Sequence, residues 1–308
     1  MPKPAATLYR MAWVLALVFA WATGSKAQTL PKPPTALAVI AHPDDEGAFS
    51  VILYKIAREL KGQVDICVIT NGEGGYKYAT LSESLYNLPL SEEATGRRNL
   101  PKIRHRELIK AGKILGIRKI YFLDQRDAHY TQNEREPLDT SWNVPYVAKR
   151  LDKLLQKPGY DFIFVLPPTA TTHGGHKAAT ILALQAVGRL PEAQRPVVLT
   201  GFVRTKTDTL IPRLTGLPRY PETRLASDTA LFRIDLKPGL GYQGKLNYNI
   251  IKNWEIAEHK SQGTMQLFMA RNADYEIFWP FLINAPGYME RCQALFAALR
   301  EATPKPTR

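Results

Sequence analysis

The chain has 308 residues, of which 45% are hydrophobic and 22% charged, and its net charge is +13. This length suffices for one large α/β domain or two small ones, and the composition excludes disordered, collagen-like and polytopic membrane proteins. A basic balance can indicate a nucleic acid, an acidic glycan or a membrane surface as partner. Because the sequence has no dense Lys/Arg run with interleaved aromatic residues, we expect no nucleic-acid partner and favour a basic exported protein.

The first residues differ from the rest of the chain. Two basic residues precede an almost wholly apolar stretch at 11–23, and small residues flank Lys26 at the positions that a signal peptidase reads. We therefore predict a cleavable signal peptide at 1–27, a proline-rich linker at 28–34 and a secreted or periplasmic protein with no integral membrane domain after cleavage. An uncleaved anchor helix is the alternative, although the apolar stretch is shorter than the roughly 20 residues that span a bilayer.

Short apolar stretches then alternate with amphipathic ones. The pattern predicts strands at 35–41, 64–70, 119–123, 161–166, 196–203 and 229–236. It predicts helices at 47–60, 102–115, 143–155, 176–187, 249–260 and 288–299. This alternation favours a single Rossmann-like α/β domain at 35–302, with a mostly parallel sheet and helices on both faces. Such sheets bind ligands in the crevice beyond the carboxyl ends of their strands.

The first polar cluster directly follows the first predicted strand. His42 is followed by Pro43, which fixes the local φ, and by three adjacent acids, Asp44, Asp45 and Glu46. Adjacent acids at the end of an apolar strand are unfavourable unless a positive group lies beside them. A helix N-terminus supplies part of that charge, and a metal ion supplies much more. Simple capping of the following helix is the alternative interpretation.

The second polar cluster follows the fourth predicted strand, where His173 and His176 lie at the start of a helix. If the two loops are neighbours, His42, Asp45 and His176 form a zinc site with an open position, as catalytic zinc sites do. Water bound there loses a proton near neutral pH, and Asp44 would then be the general base. Another divalent metal also remains compatible with these ligands. Taken alone, the two histidines could equally make local hydrogen bonds at a helix start.

Several motifs together resemble those of the LmbE/PIG-L deacetylase family. They are AHPDDE at 41–46, TNGEGG at 70–75, RHRE at 104–107 with LG at 115–116, HGGH at 173–176 and HKSQ at 259–262. The resemblance covers about residues 35–285, and AHPDDE is its most specific part. It implies a Rossmann-like α/β fold and zinc-dependent removal of acetyl groups from N-acetylglucosaminyl compounds.

The resemblance also implies roles for individual residues. It places zinc on His42, Asp45 and His176, makes Asp44 the general base, and makes His173 an electrostatic and acid partner. This chain departs from the family at 174–175, where two glycines replace the acid that often braces the first histidine. We therefore expect His173 to lack a carboxylate partner.

Three further residues are implied as substrate contacts, namely Arg104, Glu73 and Asp127. Each has a simpler interpretation. Arg104 could pair with Glu107 on a solvent-exposed helix face. Glu73 could be an ordinary loop residue and Asp127 a turn residue.

The sequence thus predicts an exported zinc-dependent deacetylase acting on an N-acetylated sugar or glycoconjugate. One alternative is a zinc amidase on another amide, such as an acyl amine or a thiol conjugate. Another is a zinc-bearing carbohydrate-binding protein without turnover. The sequence does not determine the oligomeric state. Cys67 and Cys292 lie far apart in the chain, and we expect buried free thiols.

Overall fold

The computed structural model describes residues 30–156, 159–208, 214–269 and 271–308. The predicted signal peptide, 1–27, and the first residues of the predicted linker lie outside the described residues. Among the described helices, none combines the length and the apolar character needed to cross a membrane. The domain limits 35–302 stay a prediction.

A seven-stranded sheet forms the centre of the protein, and two short strands pair separately. The strands are β1 Thr35–Ile40, β2 Gln63–Thr70, β3 Lys119–Gln125, β4 Phe162–Val165, β5 Val197–Arg204, β6 Phe232–Asp235, β7 Gly241–Tyr242, β8 Tyr275–Pro280 and β9 Pro306–Thr307. The order in the large sheet is β3-β2-β1-β4-β5-β8-β6. Strands β1 to β5 are parallel, and β8 runs antiparallel to both β5 and β6. The predicted mostly parallel α/β fold is therefore confirmed.

Helices connect these strands. They are α1 Ser50–Tyr54, α2 Glu83–Tyr86, α3 Glu93–Leu115, α4 Val144–Leu155, α5 Gly174–Gly188, α6 Asn249–Glu258, α7 Gly263–Gln266 and α8 Tyr288–Glu301. A 3₁₀ turn, Asp45–Ala48, precedes α1, and a π-helical turn, Lys55–Glu59, continues it. The predicted helix at 47–60 is therefore three short segments.

Helices cover both faces of the sheet. Along β1, Ala36, Ala38 and Ile40 pack into one core with α1, α3 and α8, whereas Leu37 and Val39 pack into the opposite core with α4 and α5. This alternation follows from the two-residue period of a strand. It explains why β1 is apolar at every position, and it fixes the strand ends where polar loops must emerge.

The start of α3 differs from the prediction. We predicted a helix at 102–115, but α3 begins at Glu93 and contains Pro101. The first turns of α3 have no regular apolar pattern and pack closely against the loop after β2. At Gly96 the two approach so closely that an added Cβ would lie 2.4 Å from Cβ of Tyr76. A small core of Ala79, Leu90, Leu100 and Ile103 stabilises this region.

Strand β8 was not predicted, and the strand predicted at 229–236 is limited to Phe232–Asp235. The buried Glu276 interrupts the apolar pattern of β8. Its carboxylate accepts the backbone N–H groups of Val51 (2.7 Å) and Ile52 (2.8 Å) in the first turn of α1. A helix N-terminus stabilises a carboxylate, so this acid is tolerated inside the sheet. Cys67 and Cys292 are buried and free, as expected.

The sheet order creates a topological switch point between β1 and β4. The chain leaves β1 toward β2 on one side, and after β3 it crosses to β4 on the other side. Crevices at such points are the usual ligand sites of open α/β sheets. The loop after β1 carries His42, and the loop after β4 ends at His173, which precedes the first turn of α5 with His176, so the fold brings the two polar clusters together.

Candidate metal centre and active site

Four predicted site residues, His42, Asp45, His173 and His176, meet at the switch point and are called the cavity cluster below. Nε2 of His176 lies 3.2 Å from Nδ1 of His42 and 3.0 Å from Oδ1 of Asp45. Nδ1 of His42 lies 3.4 Å from Oδ2 of Asp45. A ring nitrogen of His173 lies within 4.8 Å of nitrogens of the other two histidines.

These spacings fit a tetrahedral metal ion. Zinc binds imidazole nitrogen and carboxylate oxygen at about 2.0–2.2 Å, which places neighbouring ligand atoms about 3.3 Å apart. Nε2 of His176 lies close to that distance from both Nδ1 of His42 (3.2 Å) and Oδ1 of Asp45 (3.0 Å), whereas the 3.4 Å contact of His42 is to the other carboxylate oxygen, Oδ2. The donor set, two imidazoles and one carboxylate, also suits zinc and leaves a fourth position open.

The backbone fixes the Asp45 carboxylate in this arrangement. Its Oδ2 accepts N–H groups from Ala41 (3.0 Å) and His42 (2.8 Å), which leaves Oδ1 toward His176. Burial alone would raise the pKa of Asp45, but His176 and His42 outweigh it and hold this pKa well below its usual value. Asp45 is therefore an ionised carboxylate pointing at two imidazoles.

Asp127 lies beside the ring of His42, on the side away from Asp45. Its Oδ1 is 3.7 Å from Nε2 of His42, and its Oδ2 accepts the N–H of Gly74 (3.2 Å). Burial would lower the pKa of His42, but the carboxylates of Asp127 and Asp45 raise it to about 10. A carboxylate behind a histidine ligand orients the ring and increases its basicity. Asp127 also lines the cavity, and its predicted substrate contact stays a prediction.

Asp44 lies beside the cluster with an unusual backbone. Its φ is 142°, a region that non-glycine residues rarely adopt and that costs about 1–3 kcal/mol. Nη2 of Arg104 lies 2.9 Å from its Oδ2, and its N–H donates to Oε2 of Glu46 at 3.1 Å. Burial raises the pKa of Asp44, and the charge of Arg104 opposes this rise. Asp44 is thus held through its carboxylate by Arg104 and through its peptide N–H by Glu46, and it lines the cavity.

Arg104 is buried and does not pair with Glu107. Its Nη2 donates to the carbonyl of Pro43 (2.7 Å) and its Nη1 to that of Gly72 (2.8 Å). Glu107 instead accepts the N–H and hydroxyl of Ser261 at 2.8 and 2.6 Å. The interpretation of Arg104 as part of an exposed helix-face pair is therefore wrong. Arg104 joins two loops to the Asp44 carboxylate at the cavity wall.

His173 is supported by aromatic stacking. Its ring stacks on His42 (centroids 4.9 Å apart) and on Tyr130 (5.0 Å). A Cβ added at Gly174 would lie 2.6 Å from the carbonyl oxygen of Asn133, so no acid fits at that position. Burial and the charges of neighbouring histidines lower the pKa of His173 to about 4. Within the described chain its Nε2 has no hydrogen-bond partner and can serve a ligand.

Glu73 is the one predicted site residue that the structure does not bring to the cavity. Its Oε1 lies 3.6 Å from Nη1 of Arg97 and 3.8 Å from Nε of Arg126, and it is absent from the cavity lining. These contacts tie the loop after β2 to α3. The structure therefore gives Glu73 a position that supports the loop.

The cavity above the cluster has a volume of about 860 Å³. Its lining includes the cavity cluster with Asp44, Arg104 and Asp127. Apolar side chains, among them Phe202, Ile256 and Phe268, and basic side chains, among them Arg204 and Arg271, line the same cavity. One ligand could therefore contact both the polar cluster and apolar side chains.

A second group, the buried cluster, consists of Glu46, Glu255 and His259, for which no site role was predicted. All three are 0% exposed. Nε2 of His259 lies 2.6 Å from Oε1 of Glu46 and 3.3 Å from Oε1 of Glu255. Burial would lower the pKa of His259, but the two carboxylates raise it well above its usual value. The motif at 259–262 was the one feature of the sequence that pointed to His259, but the sequence around it does not indicate a contact with Glu46.

The family comparison agrees with this geometry. Residues 37–187 match the model of the PIG-L family, described as GlcNAc-PI de-N-acetylase. A probable N-acetyl-alpha-D-glucosaminyl L-malate deacetylase 2 from Bacillus cereus is 26% identical over 162 residues. That match covers 53% of this chain and 64% of the relative. The chain therefore spans less than two thirds of that protein, and the motif at 259–262 lies beyond the family match.

Solved structures are also similar to this chain, and a hydratase shares its fold. The 4-carboxy-2-hydroxymuconate hydratase GalB from Pseudomonas putida KT2440 is similar with a TM-score of 0.51 and 14% identity, over 81% of this chain and 96% of that one. N,N'-diacetylchitobiose deacetylase from Pyrococcus horikoshii has a TM-score of 0.49 and 16% identity, over 92% and 95%. The family match contains the whole cavity cluster together with Asp44, Arg104 and Asp127, and the chain therefore carries a domain of the PIG-L (LmbE) family.

Proposed function

We propose that this chain is an exported, zinc-dependent N-deacetylase that removes the acetyl group of an N-acetylglucosaminyl glycoconjugate. The observation that carries the proposal is the position of Asp44 beside His42, Asp45 and His176, at one end of a large cavity. The family match and the Bacillus cereus relative support an amide-cleaving reaction on such a sugar.

His42, Asp45 and His176 would hold the metal. A zinc ion there would supply Lewis acidity for the amide oxygen and would lower the pKa of a water molecule. Asp44 accepts the proton of the attacking water and returns it to the leaving amine, since a carboxylate that is not a ligand suits this role. Arg104 holds this carboxylate through Oδ2 (2.9 Å).

His173 serves the acetamide from the opposite side. Its Nε2 is buried and unpartnered within the described chain, and its ring is fixed by stacking between Tyr130 and His42. It donates a hydrogen bond to the oxygen on which negative charge develops. A preorganised donor of this kind typically contributes about 10²–10³-fold to the rate.

The cavity supports a glycoconjugate rather than a free sugar as substrate. Its volume of about 860 Å³ is near the upper end of the roughly 300–1,000 Å³ found for ligand sites. A single sugar would not fill this volume, and apolar side chains such as Ile256 and Phe268 also line it. An aglycone with an apolar part would fill it.

Export remains part of the proposal because of the sequence at 1–27, with its basic start, apolar stretch and small residues around Lys26.

The test is metal content of the purified mature chain together with acetate release from N-acetylglucosamine, chito-oligosaccharides and alkyl N-acetylglucosaminides. We expect about one zinc per chain, acetate from the wild type, and a loss of about 10²–10⁴-fold in Asp44→Asn. The comparison control is Asp124→Asn, which alters an exposed acid paired with His105 and should remain active.

Other outcomes would replace the proposal. Bound zinc without acetate from any of these sugars would favour an amidase on another amide, and sugar binding that Asp44→Asn leaves intact would favour a binding protein. A hydratase shares this fold, so turnover of an unsaturated acid would point to that chemistry. A chain that binds no metal would overturn every form of the proposal.

A further inference from the structure

The unusual backbone of Asp44 requires something to hold it. Its φ of 142° is not adopted by most non-glycine residues, and it sets the direction of the proposed general base. Arg104 contacts the side chain through Oδ2. The peptide N–H of Asp44 is held separately, by Oε2 of Glu46 at 3.1 Å.

Glu46 in turn is held by His259. Oε1 of Glu46 accepts a hydrogen bond from Nε2 of His259 at 2.6 Å, and both residues are 0% exposed. His259 directly follows α6, a helix that is far from Asp44 in the chain but packs beside the 3₁₀ turn Asp45–Ala48. The contact is therefore a rigid link between α6 and the turn that carries Asp44.

The link carries a proton and not a metal ion. Two ligands of one zinc ion lie about 3.3 Å apart, whereas 2.6 Å is the length of a short charge-assisted hydrogen bond. The carboxyl group of Glu255 lies 3.3 Å from the same nitrogen, so the His259 ring faces two acidic side chains. A charged hydrogen bond without access to water resists displacement, which suits a positioning role.

We propose that His259 is a positioning residue for the general base. Through Glu46 it fixes the peptide of Asp44, and thereby the direction of the Asp44 carboxylate toward the metal-side water. This inference rests on the proposed deacetylase function. His259 itself does not line the cavity and touches no substrate.

Two amide replacements of different length test the link. His259→Gln can reach Glu46 with its side-chain N–H, whereas the shorter His259→Asn cannot. We expect His259→Asn to lower kcat for acetate release about 10–100-fold, since small misplacements of reacting groups cost this much. KM and bound zinc should stay within about twofold, and His259→Gln should recover most of the rate.

Glu46→Asp shortens the same link from its other side and should lower kcat to a similar extent, also with KM unchanged. This variant decides the matter if His259→Asn does not fold. Glu255→Gln is the matched control, because it changes the same buried cluster without touching Asp44, and it should keep near wild-type kcat.

A double-mutant cycle separates positioning from general damage. In an Asp44→Asn background, His259→Asn should cause no further loss of residual activity, because both changes affect one group. Equal losses in the presence and absence of Asp44, or a folded Glu46→Asp with wild-type kcat, would overturn the inference. No acetate release by the wild type would instead overturn the proposed function, so the two failures are distinguishable.

Discussion

Adjacent residues, Asp45 and Glu46, belong to two different clusters of histidine and carboxylate side chains. In the cavity cluster, Asp45 and the ring nitrogens are 3.0–3.4 Å apart and reach a large cavity. In the buried cluster, Glu46 lies 2.6 Å from His259 and all side chains are 0% exposed. The same chemical groups thus offer an ion site in one place and a proton-sharing hydrogen bond in the other.

The difference shows that residue type alone does not select a metal site. Donor spacing must match the ion, one position must stay open, and a carboxylate such as Asp127 must orient a ligand from behind. The buried cluster lacks an open side, so its charges can be balanced only by protons and by each other. Variants of the two clusters should therefore differ in zinc binding, in activity and in stability.

The largest effect is expected for Asp45→Ala. The loss of one of three ligands should abolish zinc retention through dialysis and lower acetate release by at least about 10³-fold, since the metal supplies several kcal/mol of stabilisation. Metal analysis and acetate assays check this. Glu255→Gln, in the other cluster, should retain about one zinc per chain. Zinc lost from both variants would end the distinction between the clusters.

Asp127→Asn should weaken the metal site without removing it. The variant loses the negative charge behind His42, and such substitutions lower metal affinity by about 10–100-fold. Competition against a chromogenic chelator measures the change. Unchanged affinity, with KM raised, would instead mean that Asp127 contacts the substrate, as the family resemblance first implied.

Gly174→Ala tests whether backbone packing shapes the cavity cluster. Its Cβ would lie 2.6 Å from the carbonyl oxygen of Asn133, and overpacking typically costs about 1–3 kcal/mol. We expect a lower melting temperature and a displaced His173. Gly159→Ala is the matched control, because no atom lies within 4 Å of its added Cβ. Equal stability of the two variants would contradict the close approach at Gly174.

The smallest effect is expected for Glu255→Gln, as a pH dependence of stability. Burial raises the pKa of Glu255 to about 8 from 4.5, with Glu46 adding to the rise and His259 opposing it. Between these values the unfolded chain has lost a proton that the folded chain keeps, so this carboxyl makes wild-type stability fall as pH rises from 4.5 to 8. The glutamine removes that penalty.

The melting temperature of Glu255→Gln relative to wild type should therefore increase from pH 5 to pH 8 and level off above it. Glu258→Gln, on a partly exposed position of the same helix, should show no such increase. A constant difference at all pH values would mean that Glu255 is ionised in the folded protein.

Local patterns were sufficient for the parallel half of the fold. Strands β1 to β5 are buried on both faces, so each appears as a continuous apolar stretch that the sequence displays directly. Strand β8 could not be predicted in the same way. Its Glu276 is buried only because the first turn of α1, far away in the chain, donates two N–H groups to it.

The residues of the site likewise fall into those that local sequence patterns predict and those that they do not. The motifs at 41–46 and 173–176 are contiguous, and both follow apolar strands, so the residues of the cavity cluster could be named from the sequence. The position of Glu73 outside the cavity could not be predicted from the sequence, because it depends on contacts with arginines of α3 and of the loop after β3. The contact between Asp127 and His42 could not be predicted either, because it depends on the order of the strands in the sheet.

The fold class and the proposed ligands could be predicted from the sequence, because strands and their adjoining loops correspond to short stretches with a regular period. The spacing of the donors and the partners of Asp44 became known from the tertiary structure. The same is true of the contact between His259 and Glu46, which lie 213 positions apart in the sequence. Distances of this kind are set by packing between elements, and no local pattern records them.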